Sequence, residues 1–313
     1  MDNLLIVSAS PHIRVNNTTR KVMLQVILAL LPALGMAVWI FGPRVLILTA
    51  FCVAMCILFE YLFNTLTNRA NTLGDLSAAV TGMLLAFNLP LNLPLWMAGV
   101  GCAAAILLAK QLFGGLGENF ANPAIVGRLV LMVSFPTEMS AYPEPFVYIQ
   151  HFVAPDALST ATPLALQGTA NAPSYLDLFL GTHAGVIGEV SAVALLVGGL
   201  FLVIRKVISP IIPLCYIGTV VVLTWLCGGD PVYGILSGGL MLGAIFMATD
   251  YVTSPMTKWG KVIFAVGCGL ITAVIRLFGT YVEGVSFAIL LMNILTPTID
   301  RFVRTHPVGG VRG

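Results

Sequence analysis

The sequence predicts an all-α integral membrane protein of about ten transmembrane helices, arranged as two inverted five-helix repeats with broken or short helices. The first observation is composition: of 313 residues, 58% are hydrophobic and 9% are charged, and the mean hydropathy is +0.97. Soluble domains carry about 25% charged residues, so this chain could not cover a globular surface. The second is a series of apolar runs near the roughly 20 residues that span a bilayer. The third is a repeat between the two halves of the chain.

Ten apolar segments follow one another along the chain, separated by charged residues, glycine and proline. The third, fifth and eighth are short or interrupted. Asn122-Pro123 and Asp230-Pro231 each combine an N-cap residue with proline at the first helical position, so short helices are expected to begin there. The segments cover residues 21–41, 45–64, 76–89, 94–113, 122–136, 186–205, 211–228, 231–249, 259–278 and 284–303.

The positions of lysine and arginine predict the orientation. With both termini in the cytoplasm, twelve of these residues fall on the cytoplasmic side and two near the outer side, as the positive-inside rule requires. The connection between the fifth and sixth segments contains no lysine or arginine and is therefore placed outside. The predicted organisation is a cytoplasmic N-terminus (1–20), a first repeat (21–136), an external loop (137–185), a second repeat (186–303) and a cytoplasmic tail (304–313).

The two halves repeat each other at an offset of 165 residues. The run Leu-Phe-Gly at 112–114 recurs at 277–279, and Glu118 corresponds to Glu283. Because each half holds five segments, an odd number, the second half is expected to enter the membrane inverted relative to the first. Inverted repeats with broken helices are typical of transporters. The repeat alone is equally compatible with a solute channel or carrier and with an energy-coupling subunit.

Charged residues in or beside apolar segments form one candidate site. Charge within a bilayer is costly, so such residues are expected to have a function. Glu118 and Glu283 are the candidate ion path, and Arg128, Arg276 and Asp230 lie in similar positions. The alternative interpretation is structural. In that case Arg128 would pair with Glu118, and Arg276 with Glu283.

Several kinds of chemistry are not predicted. Cys52 and Cys56 are one helical turn apart, but small packing residues are the preferred interpretation of such buried thiols. No catalytic residue and no metal site are expected. The chain has no phosphate loop, no dinucleotide-binding glycine fingerprint and no clustered iron–sulfur cysteines. Nicotinamide, ferredoxin and cluster chemistry would therefore belong to partner subunits.

The external loop contains the run Ser159-Thr160-Ala161-Thr162, followed by Pro163. A residue before proline is pushed into extended geometry, so the Thr162 hydroxyl should be accessible to an external enzyme. An ordinary Ser/Thr-rich turn is the alternative. His151 and His183 flank this run and are expected at the surface rather than as ligands.

Together with Asp156, six residues before Thr162, this run resembles the flavinylation motif of the RnfD/NqrB family, which comprises the D subunit of Rnf complexes and the B subunit of the sodium-pumping quinone reductase. The run Gly-Glu-Asn-Phe-Ala-Asn-Pro-Ala at 117–124 and the run Thr-Gly-Met-Leu-Leu-Ala at 81–86 are also similar to the family. The resemblance covers roughly residues 10–305, and the short N-terminus favours the D subunit of the ion-translocating Rnf electron-transport complex.

The resemblance implies that a flavin transferase attaches FMN to Thr162 through a phosphodiester, with Asp156, Ser159, Thr160 and Ala161 as supporting residues. It also implies a noncovalent riboflavin in the membrane domain, without assigning its residues. The complex would transfer electrons between ferredoxin and NAD and export Na+ or H+ across the prokaryotic cytoplasmic (inner) membrane. Its other parts would be the A and E membrane subunits, the G flavoprotein and the peripheral B and C subunits. The competing function is an inverted-repeat channel or carrier for a small polar solute.

Overall fold

The computed structural model describes residues 18–146, 159–160, 163–166, 172–189, 191–279 and 284–303. Its first half begins with two long helices and continues with shorter ones. The elements are α1 (Thr19–Phe41), α2 (Arg44–Leu66), a 3₁₀ turn (Leu73–Asp75), α3 (Ser77–Phe87), α4 (Leu95–Ala103, continued by π-helical Ala104–Gln111), α5 (Pro123–Ser134) and α6 (Pro136–Met139).

The connection between the halves contributes two short strands and two short helices, after which the order of long and short helices recurs. These elements are β1 (Tyr142–Pro143), β2 (Ser159–Thr160), α7 (Pro163–Leu166), α8 (Tyr175–Leu180), α9 (Ala192–Ile204), α10 (Ile211–Leu226), α11 (Pro231–Leu236), α12 (Leu240–Leu242, continued by π-helical Gly243–Met247), α13 (Lys258–Phe278) and α14 (Val285–Phe302).

The predicted all-α membrane class is confirmed, since each of the ten apolar segments contains helix and strand pairing among the described residues is limited to β1 with β2. Among the described residues, four helices are long and apolar enough to cross a bilayer, namely α1, α2, α13 and α14, and the others are shorter. The domain boundaries and the inverted orientation of the halves stay predictions.

Two predicted segments differ from the observed helices. The sixth was expected from residue 186, but α9 begins at Ala192. The residues before it form a turn, in which the Glu189 amide donates to the Val186 carbonyl, and the amides of Ile187 and Gly188 donate to the carbonyls of Leu89 and Phe87. The eighth segment is divided into α11 and α12 by the turn around Gly238, whose φ of 70° suits glycine.

Helices from the two halves approach closely through small residues. A Cβ atom at Gly198 of α9 would lie 2.1 Å from the carbonyl oxygen of Ala29 on α1. Small residues permit such contact between membrane helices, where packing rather than the hydrophobic effect drives association. The opposite face of α1 leaves Leu24, Leu28 and Leu31 exposed, as expected for a surface that meets lipid or a partner protein.

Candidate functional site

The first two residues of the candidate motif are held by β-pairing. In the antiparallel pair, Tyr142 lies opposite Thr160 and Pro143 opposite Ser159. Tyr142 is buried and forms a small cluster with Ala184 and Val186, just before α9. The backbone of Ser159-Thr160 is therefore attached to both the α6 end and the α9 end of the external connection.

The residue that follows the candidate threonine is held separately. The hydroxyl of Tyr233, on α11, donates to the carbonyl oxygen of Pro163 over 2.8 Å. Both Pro163 and Tyr233 are buried. Thr162 itself, with Asp156 and Ala161, lies outside the described residues, so its role stays a prediction. The described residues on either side of it in sequence are both tied to the helical domain.

A cation lies beside this anchor. The guanidinium of Arg276, near the end of α13, donates to the carbonyl of Gly234 over 2.6 Å and to that of Ser237 over 3.3 Å. It thereby caps the C-terminal end of α11, where unpaired carbonyls favour a positive charge. A Cβ placed on Gly238 would be 3.0 Å from Arg276 Nη2 and 3.9 Å from Leu164. Arg276 is thus close to α7, while Glu283 lies outside the described residues.

The N-terminus of α11 and the adjoining α8 are capped by acidic residues. Asp230 accepts from two amides at the start of α11, as the sequence predicts, and also from the Tyr175 hydroxyl. Ser174 and Asp177 form a capping box on α8. The hydrogen bond from Ser174, with a further one from Thr182, holds the pKa of Asp177 below its ordinary value.

The prediction for His183 is wrong, because this side chain is buried and not at the surface. Burial lowers the pKa of its imidazole, and Nδ1 lies 3.4 Å from the carbonyl oxygen of Asp177. His151 lies outside the described residues.

The proposed structural pairing of Arg128 with Glu118 is wrong. Arg128 Nη2 lies 3.7 Å from a carboxylate oxygen of Glu189, and its Nη1 donates to Asn88 Oδ1 over 2.5 Å. Arg128 and Glu189 are buried, whereas Glu118 is exposed on the loop before α5. The pair joins α5 to the turn that precedes α9. It lies against the break between α11 and α12, since a Cβ on Gly239 would be 2.6 Å from Glu189 Oε1.

A second buried ion pair joins α2 to the π-helical end of α4. Lys110 Nζ lies 2.6 Å from Glu60 Oε2, and the exposed fractions of these side chains are 2% and 0%. Lys110 also donates to Ser77 Oγ, on α3, over 2.6 Å. Three helices of the first half are therefore linked by one ammonium group.

Lys110 and Ser77 also line a cavity that the first half shares with the second half. The cavity holds about 720 Å³ of non-protein space, part of it open to the surroundings. Its apolar wall includes Val80 and Phe246, and Asn119 from the first half and Asp250 from the second both line it. Its polar lining comprises Ser77, Thr81, Lys110, Asn119, Asn122, Thr249, Asp250 and Tyr251.

Comparison with known proteins shows which family this chain belongs to. A family model described as the NQR2, RnfD, RnfE family matches residues 6–309. The chain belongs to this family. It is 48% identical over 310 residues to the D subunit of the Na(+)-translocating ferredoxin:NAD(+) oxidoreductase complex of Acetobacterium woodii, covering 97% of this chain and 95% of the relative. It is 43% identical over 324 residues to the proton-translocating counterpart of Clostridium ljungdahlii, covering 98% and 96%.

A third similar protein is the D subunit of the ion-translocating oxidoreductase complex of Alcanivorax borkumensis. It is 39% identical over 331 residues, which covers 97% of this chain and 97% of the relative. The resemblance recognised from the sequence is confirmed. Of the runs that carried it, 81–86 lies on α3 and 117–124 leads into α5, and both contribute residues to the cavity.

Most cysteines of this NQR2, RnfD, RnfE family member are buried, whereas Cys227 is exposed. Cys52, Cys56 and Cys102 are buried, and the Cys102 thiol lies 3.6 Å from the carbonyl oxygen of Cys52. Within the described part of the chain, no group of three or more His, Cys, Asp or Glu side chains is arranged to hold a metal ion.

Sequence reasoning missed two acidic residues and one anchor. Glu60 and Glu189 lie inside the predicted segments 45–64 and 186–205, and an acidic residue inside an apolar segment was itself a usable signal. Tyr233 gave no such signal, because its partner is a backbone carbonyl 70 residues away.

Proposed function

We propose that this chain is the D subunit of an Rnf-type complex, which transfers electrons between ferredoxin and NAD and couples this transfer to ion export. The observation that carries the proposal is whole-length identity of 48% and 43% to relatives named as D subunits of ferredoxin:NAD(+) oxidoreductase complexes. One of those names specifies Na+ and the other protons, so the exported ion is Na+ or H+. The chain acts as an electron-carrying membrane component of this translocase.

The cofactor that we propose is FMN attached to the Thr162 hydroxyl through a phosphodiester. The sequence motif supports this, as does the anchoring of its described neighbours by the β1–β2 pair and by the Tyr233–Pro163 hydrogen bond. Arg276, close to Leu164, would supply positive charge near a phosphate. A bound flavin supplies one- and two-electron transfer, and the protein supplies position and electrostatics.

The cavity is the site that we propose for the noncovalent riboflavin. Its apolar wall would cover the faces of an uncharged ring system, and the amides of Asn119 and Asn122 would hydrogen-bond its polar edge. Lys110 and Asp250 add charged groups at the margin. The proposal is tested by denaturing the protein and measuring the riboflavin released per chain. Wild type should release riboflavin, and an Asn119→Leu variant should release less.

Glu118 and Glu283 stay as the proposed ion path. Glu118 is exposed and adjoins Asn119 of the cavity lining, while Glu283 lies outside the described residues. Neutralising both as Gln should lower the number of ions exported per electron in reconstituted complexes. An unchanged ratio would remove them from the path.

The proposed setting is a prokaryotic cytoplasmic membrane with both termini in the cytoplasm and the flavin on the outer side. The proposed partners are the A and E membrane subunits, the G flavoprotein, the peripheral B and C subunits, and the flavin transferase during maturation. The excess of lysine and arginine in the loops assigned to the cytoplasm supports this orientation.

The deciding experiment is intact-mass analysis of chain coexpressed with the transferase. Wild type should carry one FMN and fluoresce in gels under ultraviolet light, and Thr162→Ala should carry none. Thr169→Ala, which removes a threonine hydroxyl of the same external loop outside the motif, is the matched control and should retain the flavin. Unmodified wild-type peptides from native membranes, together with solute flux in liposomes, would instead favour the channel or carrier.

A further inference from the structure

Two helices that pack against each other bring four cations to one end of the molecule. A Cβ on Gly198 of α9 would touch Ala29 of α1, and Met23 and Leu202 line the same cavity. Met23 precedes this contact along α1, whereas Leu202 follows it along α9. The helices therefore run antiparallel, and the start of α1 lies beside the end of α9. Four exposed cations lie there and form what we call the α1–α9 cluster: Arg20, Lys21, Arg205 and Lys206.

Arg20 and Lys21 lie in the first turn of α1, where positive charge is unfavourable. The unpaired amides of a helix start carry partial positive charge, which favours acidic residues and repels cations. The first turn of α1 contains no acidic residue, and the Thr18 hydroxyl caps it by accepting from the Lys21 amide. Within the described part of the chain, Arg20 forms no ion pair. Cations at this position therefore cost folding free energy unless an anion lies against them.

The start of α13 shows how the chain compensates a similar arrangement elsewhere. Lys258 and Lys261 lie at this helix start, which likewise has no acidic residue in its first turn. A carboxylate from α14 lies against it. Asp300 Oδ1 accepts from the Met256 amide over 3.2 Å and would be 3.6 Å from a Cβ on Gly260. The protein itself therefore supplies the anion at α13.

Lys206 has a second unfavourable placement. Its φ is 55°, in the left-handed region. Its amide donates to the Val203 carbonyl and the Val207 amide donates to that of Leu202, which is the Schellman pattern at a helix end. Glycine is usual at this position, because a Cβ makes the left-handed conformation costly. The dipole of α9 accounts for a cation at Arg205, but it does not account for lysine in place of glycine at 206. Among the described residues, neither of these two cations forms an ion pair.

We propose that the α1–α9 cluster binds the headgroup of an anionic phospholipid. A phosphodiester would offset the repulsion among four like charges, and guanidinium groups match phosphate oxygens in pairs. Clusters of about four to eight Lys and Arg residues beside a membrane helix are typical of anionic-lipid recognition.

The surface next to the cluster favours a lipid over a soluble anion. Arg20 continues the exposed stripe of Leu24, Leu28 and Leu31, which follow it at helical spacing along α1. Acyl chains attached to a headgroup at Arg20 would lie along these leucines. A free phosphate or an acidic loop of a protein would make no use of this apolar stripe.

The first test compares two variants that change the net charge equally. Complex containing Arg20→Gln/Lys206→Gly and a control containing Lys258→Gln/Lys261→Gln are stripped of lipid in detergent. Each is titrated with phosphatidylglycerol or with phosphatidylcholine, and native mass spectrometry counts the lipids bound. Wild type and the control should bind one phosphatidylglycerol per copy of this chain that the first variant binds roughly 25-fold more weakly, at about fivefold per cation. Phosphatidylcholine should bind equally to all three. Equal binding of phosphatidylglycerol by the two variants would overturn the proposal.

The second test separates a lipid from other anions. Glycerol phosphate, which has the headgroup chemistry without acyl chains, should not displace the bound phosphatidylglycerol from wild-type complex. Displacement would indicate a site for free phosphate and overturn the proposal. Loss of another subunit from the Arg20→Gln/Lys206→Gly complex, with lipid binding unchanged, would assign the cluster to an acidic protein and also overturn it.

The third test uses a variant that glycine should help to fold. Lys206→Gly removes one cation and relieves the left-handed conformation, so in phosphatidylcholine nanodiscs it should unfold no more readily than wild type. Phosphatidylglycerol should stabilise wild type against denaturant and stabilise Lys206→Gly less. Easier unfolding of Lys206→Gly in phosphatidylcholine would show that Lys206 has a structural role within the protein, and it would overturn the proposal.

Discussion

The hydrogen bond between Tyr233 and Pro163 provides the most direct check on how the motif is held. Tyr233→Phe keeps the ring and removes one donor to a buried carbonyl 2.8 Å away. Loss of such a bond costs about 0.5–1.5 kcal/mol. The rest of the Tyr233 packing is retained, because the ring is buried.

A cost of about 1 kcal/mol corresponds to roughly a fivefold change in an equilibrium constant. We therefore expect about a fivefold larger population in which Pro163–Leu166 is detached from α11. The readouts are steady-state anisotropy of flavin fluorescence, which should fall, and protease cleavage between Thr160 and Leu166, which should accelerate to a similar extent. The amount of FMN per chain should change little, because the acceptor threonine is intact.

Tyr175→Phe is the matched control, since it makes the same chemical change one contact away. The Tyr175 hydroxyl bonds Asp230 rather than the motif, and its ring lies 6.4 Å from that of Tyr233. It should leave anisotropy and cleavage at wild-type values. Equal behaviour of the two variants would refute the conclusion that Tyr233 holds the segment after the candidate threonine.

Three further predictions concern stability. Gly198→Ala should destabilise the protein by about 1–3 kcal/mol, because its Cβ would overlap a carbonyl of α1; Gly218→Ala, where no atom lies within 4 Å, is the control, and denaturant unfolding measures both. Arg128→Met should cost about 3–5 kcal/mol, since it removes the cation that lies 3.7 Å from the buried Glu189 carboxylate; an equal loss of stability in Arg128→Met/Glu189→Gln would contradict this. Asp177 has a pKa below its ordinary 3.8, so its contribution is present at neutral pH and is lost as pH falls through the lowered pKa; proteolysis of the external segment should rise there, but not in Asp177→Asn.

The positions of the helices could largely be predicted from the sequence. Length and hydropathy placed all ten apolar segments, and the Asn122-Pro123 and Asp230-Pro231 pairs marked the starts of α5 and α11. These signals are local, because a helix and its cap are set by neighbouring residues. The start of α9 was misjudged because the apolar residues before it pair with a distant part of the chain.

The partners in the ionic contacts were much harder to predict from the sequence. Arg128 contacts Glu189, 61 positions later, and Lys110 contacts Glu60, 50 positions earlier. A single sequence shows that these charges are buried in apolar segments, but partner choice depends on how the helices pack. The structural alternative named Glu118 as the partner of Arg128, and that residue is exposed instead.

The turn before α9 has one consequence for which residues can vary. Inside a bilayer the carbonyls of Phe87 and Leu89 need donors, and they obtain them from the main-chain amides of Gly188 and Ile187. Because these hydrogen bonds between the halves use only main-chain atoms, they do not restrict the chemistry of most side chains along them. Position 188 is the exception, because a Cβ there would lie 2.5 Å from that of Phe87. Among natural variants, the residues on either side of Gly188 should therefore differ in type, whereas Gly188 itself should be retained.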